Sequence, residues 1–107
     1  MRRQAASQGK IDMYLKIHHA PHGRVVAICD EDLVGKTLED TKHYMKITEH
    51  FYKGEKKEEK AVLDVLKDAE NINFMGREAV ELGLKAKKIA PEQVKIIAGV
   101  PHAQVYA

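Results

Sequence analysis

The chain has 107 residues, which is enough for one domain and too few for two of ordinary size. Apolar residues make up 44% and charged residues 32% of the sequence, the balance of a soluble globular protein with a charged surface. The net charge is +2 and the pI about 8.6, short of the pI above about 9 that is typical of a dedicated nucleic-acid-binding domain. No apolar run approaches the ~20 residues of a membrane span, so we expect no membrane partner.

One cysteine, Cys29, rules out an internal disulfide and favours a reducing, cytoplasmic location. Lysine and glutamate dominate the charged residues, a bias typical of thermophile proteins. The basic residues near the start are followed by no apolar stretch, so they do not form a secretory signal. We therefore expect a flexible leader or cloning remnant over residues 1–12 and one globular domain over residues 13–107.

The first predicted element is a hairpin. Residues 11–18 place Met13, Leu15 and Ile17 on one face, which predicts a half-buried strand. A five-residue Pro/Gly turn follows, and the β-branched run at residues 24–29 predicts a more fully buried strand.

The next segment reads as turns and connecting chain. Asp30 is a candidate N-cap of a short helical turn that Gly35 closes. Residues 37–41 are expected to be connecting chain, and residues 44–48 are a third candidate strand. The dense charge run at residues 53–60 is expected to be the solvated start of a helix.

Helices and strands alternate in the second half of the chain. Apolar spacing predicts helices over residues 57–69 and 77–87. Strands are predicted at residues 94–98 and 102–106, and residues 71–75 form either a strand or a loop. The order β-β-(β)-α-β-α-β-β predicts an α+β (mixed α/β) fold with one mixed sheet and two main helices packed on it.

The middle of the chain interleaves lysines with aromatic residues, the combination that RNA-binding proteins use to neutralise phosphates and stack bases. The residues are Lys36, Lys42, Lys46, Lys53, Lys56, Lys57 and Lys60, with Tyr44, Phe51 and Tyr52. Nearby carboxylates dilute the positive field, and these are Glu39, Asp40, Glu49, Glu55, Glu58 and Glu59. The segment is either an RNA-contacting surface or a solvated charged face.

Four short blocks combine glycines with polar or aromatic residues at set spacings. The first two are Cys29-Asp30 with Leu33 and Gly35-Lys36, and Phe51-Tyr52 with Gly54. The other two are Asn73 with Gly76 and Ala79-Val80, and Gly99-Val100-Pro101-His102-Ala103-Gln104. Together they resemble the archaeal domain-of-unknown-function family 424. The resemblance implies a small cytosolic archaeal protein of one domain without an assigned activity, and it supplies no catalytic residues.

Asn73, Gly76 and Arg77 form one candidate binding site. Glycine lets the backbone approach a ligand closely, and the free amides that begin a helix attract a phosphate or carboxylate. Arg77 adds a group that grips such an anion with two hydrogen bonds. Alternatively, Gly76 only caps the helix, and Glu78 brings an opposing charge into the same turn.

His102 and Gln104 lie two residues apart on one face of the last predicted strand. Ligand sites gather beyond strand ends in open sheets, so His102 is a candidate acid, base or hydrogen-bond donor. Alternatively, both side chains bond to backbone groups at the sheet edge. If Arg77 and Asn73 share a pocket with them, the protein is a small-ligand binder or an enzyme.

Cys29 and the histidines of the first hairpin are further candidates. A carboxylate follows Cys29 directly and opposes a thiolate, so Cys29 is either a nucleophile or a small apolar filler. Adjacent histidines on a strand point to opposite faces, so either His18 or His19 joins His22. The hairpin then supplies at most two metal ligands unless Cys29 or His102 joins them. Otherwise they form a polar hairpin tip.

The sequence favours a binding module that contacts RNA or a ribonucleoprotein or translation partner through the Lys/aromatic middle. A small-ligand binder or enzyme comes second and a His/Cys metal site third. We expect no cofactor, and the sequence leaves the oligomeric state open.

Overall fold

The computed structural model describes residues 12–21 and 23–106, and it confirms the α+β class. The strands are β1 (Asp12–Ala20), β2 (Gly23–Asp30), β3 (Thr37–Glu39), β4 (Tyr44–Lys46), β5 (Glu55–Glu58), β6 (Asn71–Met75), β7 (Lys95–Ile97) and β8 (Val100–Val105). The helices are α1 (Glu49–Tyr52), α2 (Glu59–Leu66) and α3 (Arg77–Lys85), with 3-10 turns at Glu31–Leu33 and Pro91–Gln93. None of these helices is both long and apolar enough to cross a membrane.

Six strands form a mixed sheet in the order β5-β1-β2-β6-β8-β7. Only β2 and β6 run parallel, and the other neighbours in this sheet are antiparallel. The predicted β1–β2 hairpin is confirmed, but its strands pair as far as Ala20 and Gly23, so the connection is shorter than expected. The central pair is covered on both faces, which explains why β2 carries an unbroken apolar run.

Alternate residues of the sheet face two separate cores. On one side Val26 and Ile28 of β2 pack in a cluster with α2 and α3, where the largest buried side chain is Phe74. On the other side Ala27 and Cys29 pack with apolar residues from the segment between β2 and β5. The period of two along a strand assigns each residue to one of these faces. We call the side covered by α2 and α3 the helix face, and the side covered by the segment between β2 and β5 the hairpin face.

The middle of the chain differs from the sequence prediction. Residues 37–39, expected to be connecting chain, form β3 and pair with β4 in a separate two-stranded sheet. The charged run at Glu55–Glu58 is an edge strand paired with β1, so helix α2 begins only at Glu59. Charged residues are what an exposed edge strand requires to discourage pairing with other chains. Strand pairing therefore overrides the local helical pattern.

Gly76 lies at the junction of β6 and α3, where the backbone adopts a φ of +107°. A Cβ atom at this position would lie 2.3 Å from the carboxyl carbon of Asp30. Two independent constraints therefore require glycine, one from the backbone conformation and one from the Asp30 side chain. Gly35, with a φ of +92°, has the first constraint alone, because a Cβ there would meet no atom within 4 Å.

We expect Gly76→Ala to lower the free energy of unfolding by more than Gly35→Ala does. Both changes place a side chain at positive φ, at a cost of about 1–3 kcal/mol. Gly76→Ala also displaces Asp30 from the backbone amides it binds, which adds about 1–3 kcal/mol. Urea denaturation of the two variants measures the difference, and equal losses would show that the contact with Asp30 contributes nothing.

Candidate functional site

The carboxylate of Asp30, the last residue of β2, caps α3 from across the fold. Oδ2 accepts a hydrogen bond from the amide of Glu78 at 3.0 Å, and Oδ1 accepts one from the amide of Ala79 at 2.8 Å. Burial raises the pKa of Asp30, and these bonds to its charged form oppose that shift. The amides predicted to hold an external phosphate or carboxylate are therefore occupied by a side chain of the same protein.

Asp30 does cap a helix, as expected, but the helix is not the short helical turn for which the cap was predicted. Its side chain makes no capping bond to the 3-10 turn at Glu31–Leu33 that directly follows it. It binds instead a helix that begins with Arg77, nearly fifty residues later. The pairing of β2 with β6 brings these two chain segments to the same end of the sheet.

Arg77 and His102 line different cavities, so Asn73, Arg77, His102 and Gln104 do not share the single pocket that the small-ligand or enzyme hypothesis requires. Arg77 lines a cleft of about 450 Å³ at the carboxyl end of β2, together with Asp30, Asp32 and Glu78. Carboxylates outnumber the one guanidinium there. The cleft is therefore a poor receptor for an anion.

Asn73 and His102, by contrast, do come together on the hairpin face. Oδ1 of Asn73 accepts one hydrogen bond from Nε2 of His102 at 3.0 Å and another from the Tyr52 hydroxyl at 2.9 Å. The exposed fractions of Asn73 and His102 are 8% and 6%, so this is a buried polar cluster. We call Tyr52, Asn73 and His102 the buried triad.

The triad fixes the state of the His102 ring. An amide oxygen only accepts, so Nε2 carries the proton and Nδ1 is the acceptor. Burial, and then the charge of Lys95, lower the pKa of His102, which keeps the ring neutral at pH 7. Burial also raises the pKa of Tyr52, so its hydroxyl remains a donor.

Gln104 lies beside the triad at the surface. It pairs directly with Asn73 across β6 and β8, and its Oε1 accepts a hydrogen bond from the Tyr106 hydroxyl at 2.8 Å. The partners of His102 and Gln104 are thus side chains, rather than the backbone groups of the alternative interpretation.

Cys29 is a buried side chain of the sheet. Its Sγ donates to the backbone oxygen of Asp30 at 3.3 Å. Burial, with the nearby charges of Asp30 and Asp32, raises the pKa of Cys29 to about 12. The thiol therefore stays protonated, and this environment favours the filler interpretation over a nucleophile.

Gly35 and Lys36 make backbone hydrogen bonds within the segment that follows β2. The Gly35 amide donates to the oxygen of Ile47 at 2.7 Å, and the Ile47 amide donates to the oxygen of Lys36 at 2.8 Å. These bonds hold the end of the β3–β4 hairpin, so the Gly35-Lys36 block has a local structural role while the Lys36 side chain stays exposed.

The histidine and cysteine candidates for a metal site do not converge. His19 is exposed near the end of β1, whereas Cys29 and His102 are buried in the interior of the sheet. His22 lies outside the described residues. Within residues 12–21 and 23–106, no group of three or more His, Cys, Asp or Glu side chains is arranged to hold a metal ion.

Only one of the three aromatic candidates is exposed for stacking. The Phe51 ring stacks on the His18 ring at a centroid distance of 4.6 Å, and Tyr52 belongs to the buried triad. Tyr44 on β4 is 66% exposed. Both Phe51 and His18 are half-buried.

The lysine candidates separate in the same way. Lys53, Lys56 and Lys57 form ion pairs with Glu49, Glu31 and Glu55, respectively. Lys36, Lys42 and Lys46, which flank the β3–β4 hairpin or lie within it, have no ion-pair partner in the described part of the chain. Lys60 is also unpaired among the described residues, but it lies apart on α2. The exposed aromatic and three of the four unpaired candidate lysines therefore belong to one segment.

Asp40 organises that segment, although the sequence pattern indicates only a charge that dilutes the positive field. Its carboxylate accepts hydrogen bonds from the amides of Lys42, His43 and Ala98 at 2.8–2.9 Å. These bonds, led by the one from Ala98, lower the pKa of Asp40. An Asp that binds amides two and three residues later is typical of a turn, whereas the bond to Ala98 has no local sequence signal.

Comparison with known proteins gives a consistent result. A family model described as "Protein of unknown function (DUF424)" matches residues 17–107. The crystal structure of an uncharacterized conserved protein from Methanopyrus kandleri is similar to this one, with a TM-score of 0.75, 30% sequence identity, and coverage of 89% of this chain and 90% of that chain. No curated protein matches the sequence. The family inferred from the four sequence blocks is thereby confirmed.

We expect Asp30→Asn to lower the free energy of unfolding by about 1–3 kcal/mol. The asparagine side chain has one acceptor oxygen, so its NH₂ group must face one of the two backbone amides of α3 that now donate to the carboxylate. Asp32→Asn is the matched control, since Asp32 is an exposed neighbouring carboxylate, and its effect should stay within about 0.5 kcal/mol. Chemical denaturation compares them. Similar losses would mean that Asp30 acts through general charge rather than through the cap of α3.

We expect His102 to make stability depend on pH. Its folded-state pKa lies below the ordinary value of 6.5, so the unfolded state binds the proton more strongly. The stabilisation by His102 is complete when the pH is above the pKa of His102 in the unfolded state. It is lost as the pH falls toward the lower pKa of His102 in the folded state. The stability advantage of the wild type over His102→Gln should therefore shrink between about pH 7.5 and pH 5 in urea titrations.

A constant difference across that range would contradict the role of His102. His19→Gln, which removes an exposed imidazole from β1, serves as the control for the loss of a histidine.

Proposed function

Since this chain belongs to the DUF424 family of proteins of unknown function, we propose a function from its surface: it is a binding module that contacts RNA through the β3–β4 hairpin. The contact surface consists of Lys36, Lys42, Tyr44 and Lys46, here called the hairpin surface. The observation that carries the proposal is an exposed aromatic ring among cations that no carboxylate of the described residues neutralises.

The register of the hairpin supports this orientation. Leu38 and Met45 are direct partners and turn inward, with Leu38 almost fully buried. Tyr44 and Lys46 alternate with Met45 on β4 and therefore face outward. An outward ring next to a cation suits a base stacked above a phosphate, which is how single strands are held without sequence readout.

The overall charge gives little attraction for RNA. Three of the 18 basic residues lie in the first ten positions, which hold no acidic residue, so the remaining 15 basic residues oppose 16 acidic ones. Any attraction therefore arises from the local arrangement of charge. Ion pairs elsewhere neutralise Lys53, Lys56 and Lys57, which makes the hairpin surface the favoured contact.

The hairpin is also held rigidly, which reduces the entropy lost on binding. The Asp40 carboxylate joins the tip of the hairpin to the turn between β7 and β8 through the Ala98 amide at 2.9 Å.

The outward face of the two paired strands carries one negative charge. Glu39, directly opposite Tyr44, is the one carboxylate on that face.

Fluorescence anisotropy with a labelled single-stranded RNA of mixed sequence tests the proposal. Three phosphate contacts predict that log K falls with log [salt] with a slope of about −2. Tyr44→Ala should weaken binding roughly 5- to 150-fold, since a stacked base contributes about 1–3 kcal/mol. Replacing Lys36, Lys42 and Lys46 together by Gln should remove most of the salt dependence.

The matched control replaces Lys53, Lys56 and Lys57 by Gln, which removes the same net charge at ion-paired positions. This variant should keep most of the affinity. Absence of RNA binding at low salt, or equal losses in the two triple variants, would contradict the proposal.

A further inference from the structure

A cavity of about 230 Å³ opens beside the sheet edge formed by β7 and β8. Its lining residues are Gln93, Lys95, His102, Ala103, Gln104 and Tyr106. Lys95 pairs directly with His102 across the two strands, and Gln104 follows on the same face of β8. The volume is below the roughly 300–1,000 Å³ of pockets for drug-sized ligands, so the cavity suits a small polar ion.

Two buried polar groups of the triad lack partners, and one of them belongs to His102, which lines this cavity. His102 uses Nε2 to bind Asn73, and its Nδ1 has no hydrogen-bond partner among the described residues. The side-chain NH₂ group of Asn73 likewise has none within the same part of the chain. Buried polar atoms are nearly always bonded, so an acceptor left open on a side chain that lines a cavity points to a bound group.

The polar groups define the chemistry of that ligand. Nδ1 of the neutral His102 ring accepts a hydrogen bond, so the ligand must present a donor. The Lys95 ammonium attracts negative charge, and the Gln104 amide offers N–H donors because its oxygen is engaged by Tyr106. The ligand must therefore be an anion that retains an acidic hydrogen.

We propose that this cavity binds the hydrogen phosphate ion, with its P–OH group donating to Nδ1 of His102 and its anionic oxygens accepting from Lys95 and Gln104. Sulfate has the same shape and charge and no hydrogen, so one of its oxygens would face the Nδ1 lone pair. An internal phosphodiester of RNA also lacks the P–OH group. The site is therefore distinct from the hairpin surface and independent of the proposed RNA contact.

Calorimetric titration at about pH 8 tests the proposal with inorganic phosphate, sulfate and glycerol phosphate. A phosphate monoester has a second pKa of about 6, so glycerol phosphate carries no P–OH group under these conditions. Inorganic phosphate should bind at least about tenfold more tightly than either of the others. The imidazole ¹⁵N resonances of His102 should shift with phosphate alone, with the larger change at Nδ1.

Lys95→Gln should weaken phosphate binding about tenfold, because it removes the cation without touching the core. Lys67→Gln is the control, since Lys67 is an exposed lysine ion-paired with Asp64, and it should bind like the wild type. Equal affinity for phosphate and sulfate, absence of phosphate binding, or equal effects of the two lysine variants would overturn the proposal.

Discussion

The bond between the Asp30 carboxylate and the first amides of α3 is the constraint on which most of the structure depends. It joins the end of β2 to the helix that follows β6, and so fixes the only parallel strand pair of the described sheet. It requires glycine at position 76, because a Cβ there would overlap the carboxylate. It also keeps a negative charge beside Cys29, which adds to the larger effect of burial in raising the pKa of that thiol.

The elements that sequence predicts well are those whose pattern is local. The alternation at Met13 and Leu15 gives β1, and helical spacing locates α2 and α3 to within a few residues. The β5 edge strand is missed because Glu55–Glu58 has no apolar face of its own. Its conformation comes from hydrogen bonds to β1, some forty residues earlier in the chain, and no local propensity reports such a partner.

The candidate site divides for a geometric reason. Asn73 and His102 point to the hairpin face, whereas α3 packs on the helix face against Phe74, the next residue along β6. Arg77 begins that helix beyond the strand end and lines a different cavity from His102. The sequence pattern indicates these residues but does not contain the strand register that assigns them to faces. Tyr52 completes the triad from α1, a helix of four residues too short to show a periodic pattern.

The block from Gly99 to Gln104 has a physical role at nearly every position. Gly99 turns the chain between β7 and β8 at a φ of +82°, and the oxygen of Pro101 accepts from the Gly76 amide at 2.9 Å. His102 contributes to the triad, and the Ala98 amide just before the block binds Asp40 at the hairpin tip. The cap of α3, the hairpin and the buried histidine therefore all attach to the last two strands. Because this block contacts so many separate parts of the fold, structural requirements alone account for its residues, whichever ligand the surface binds.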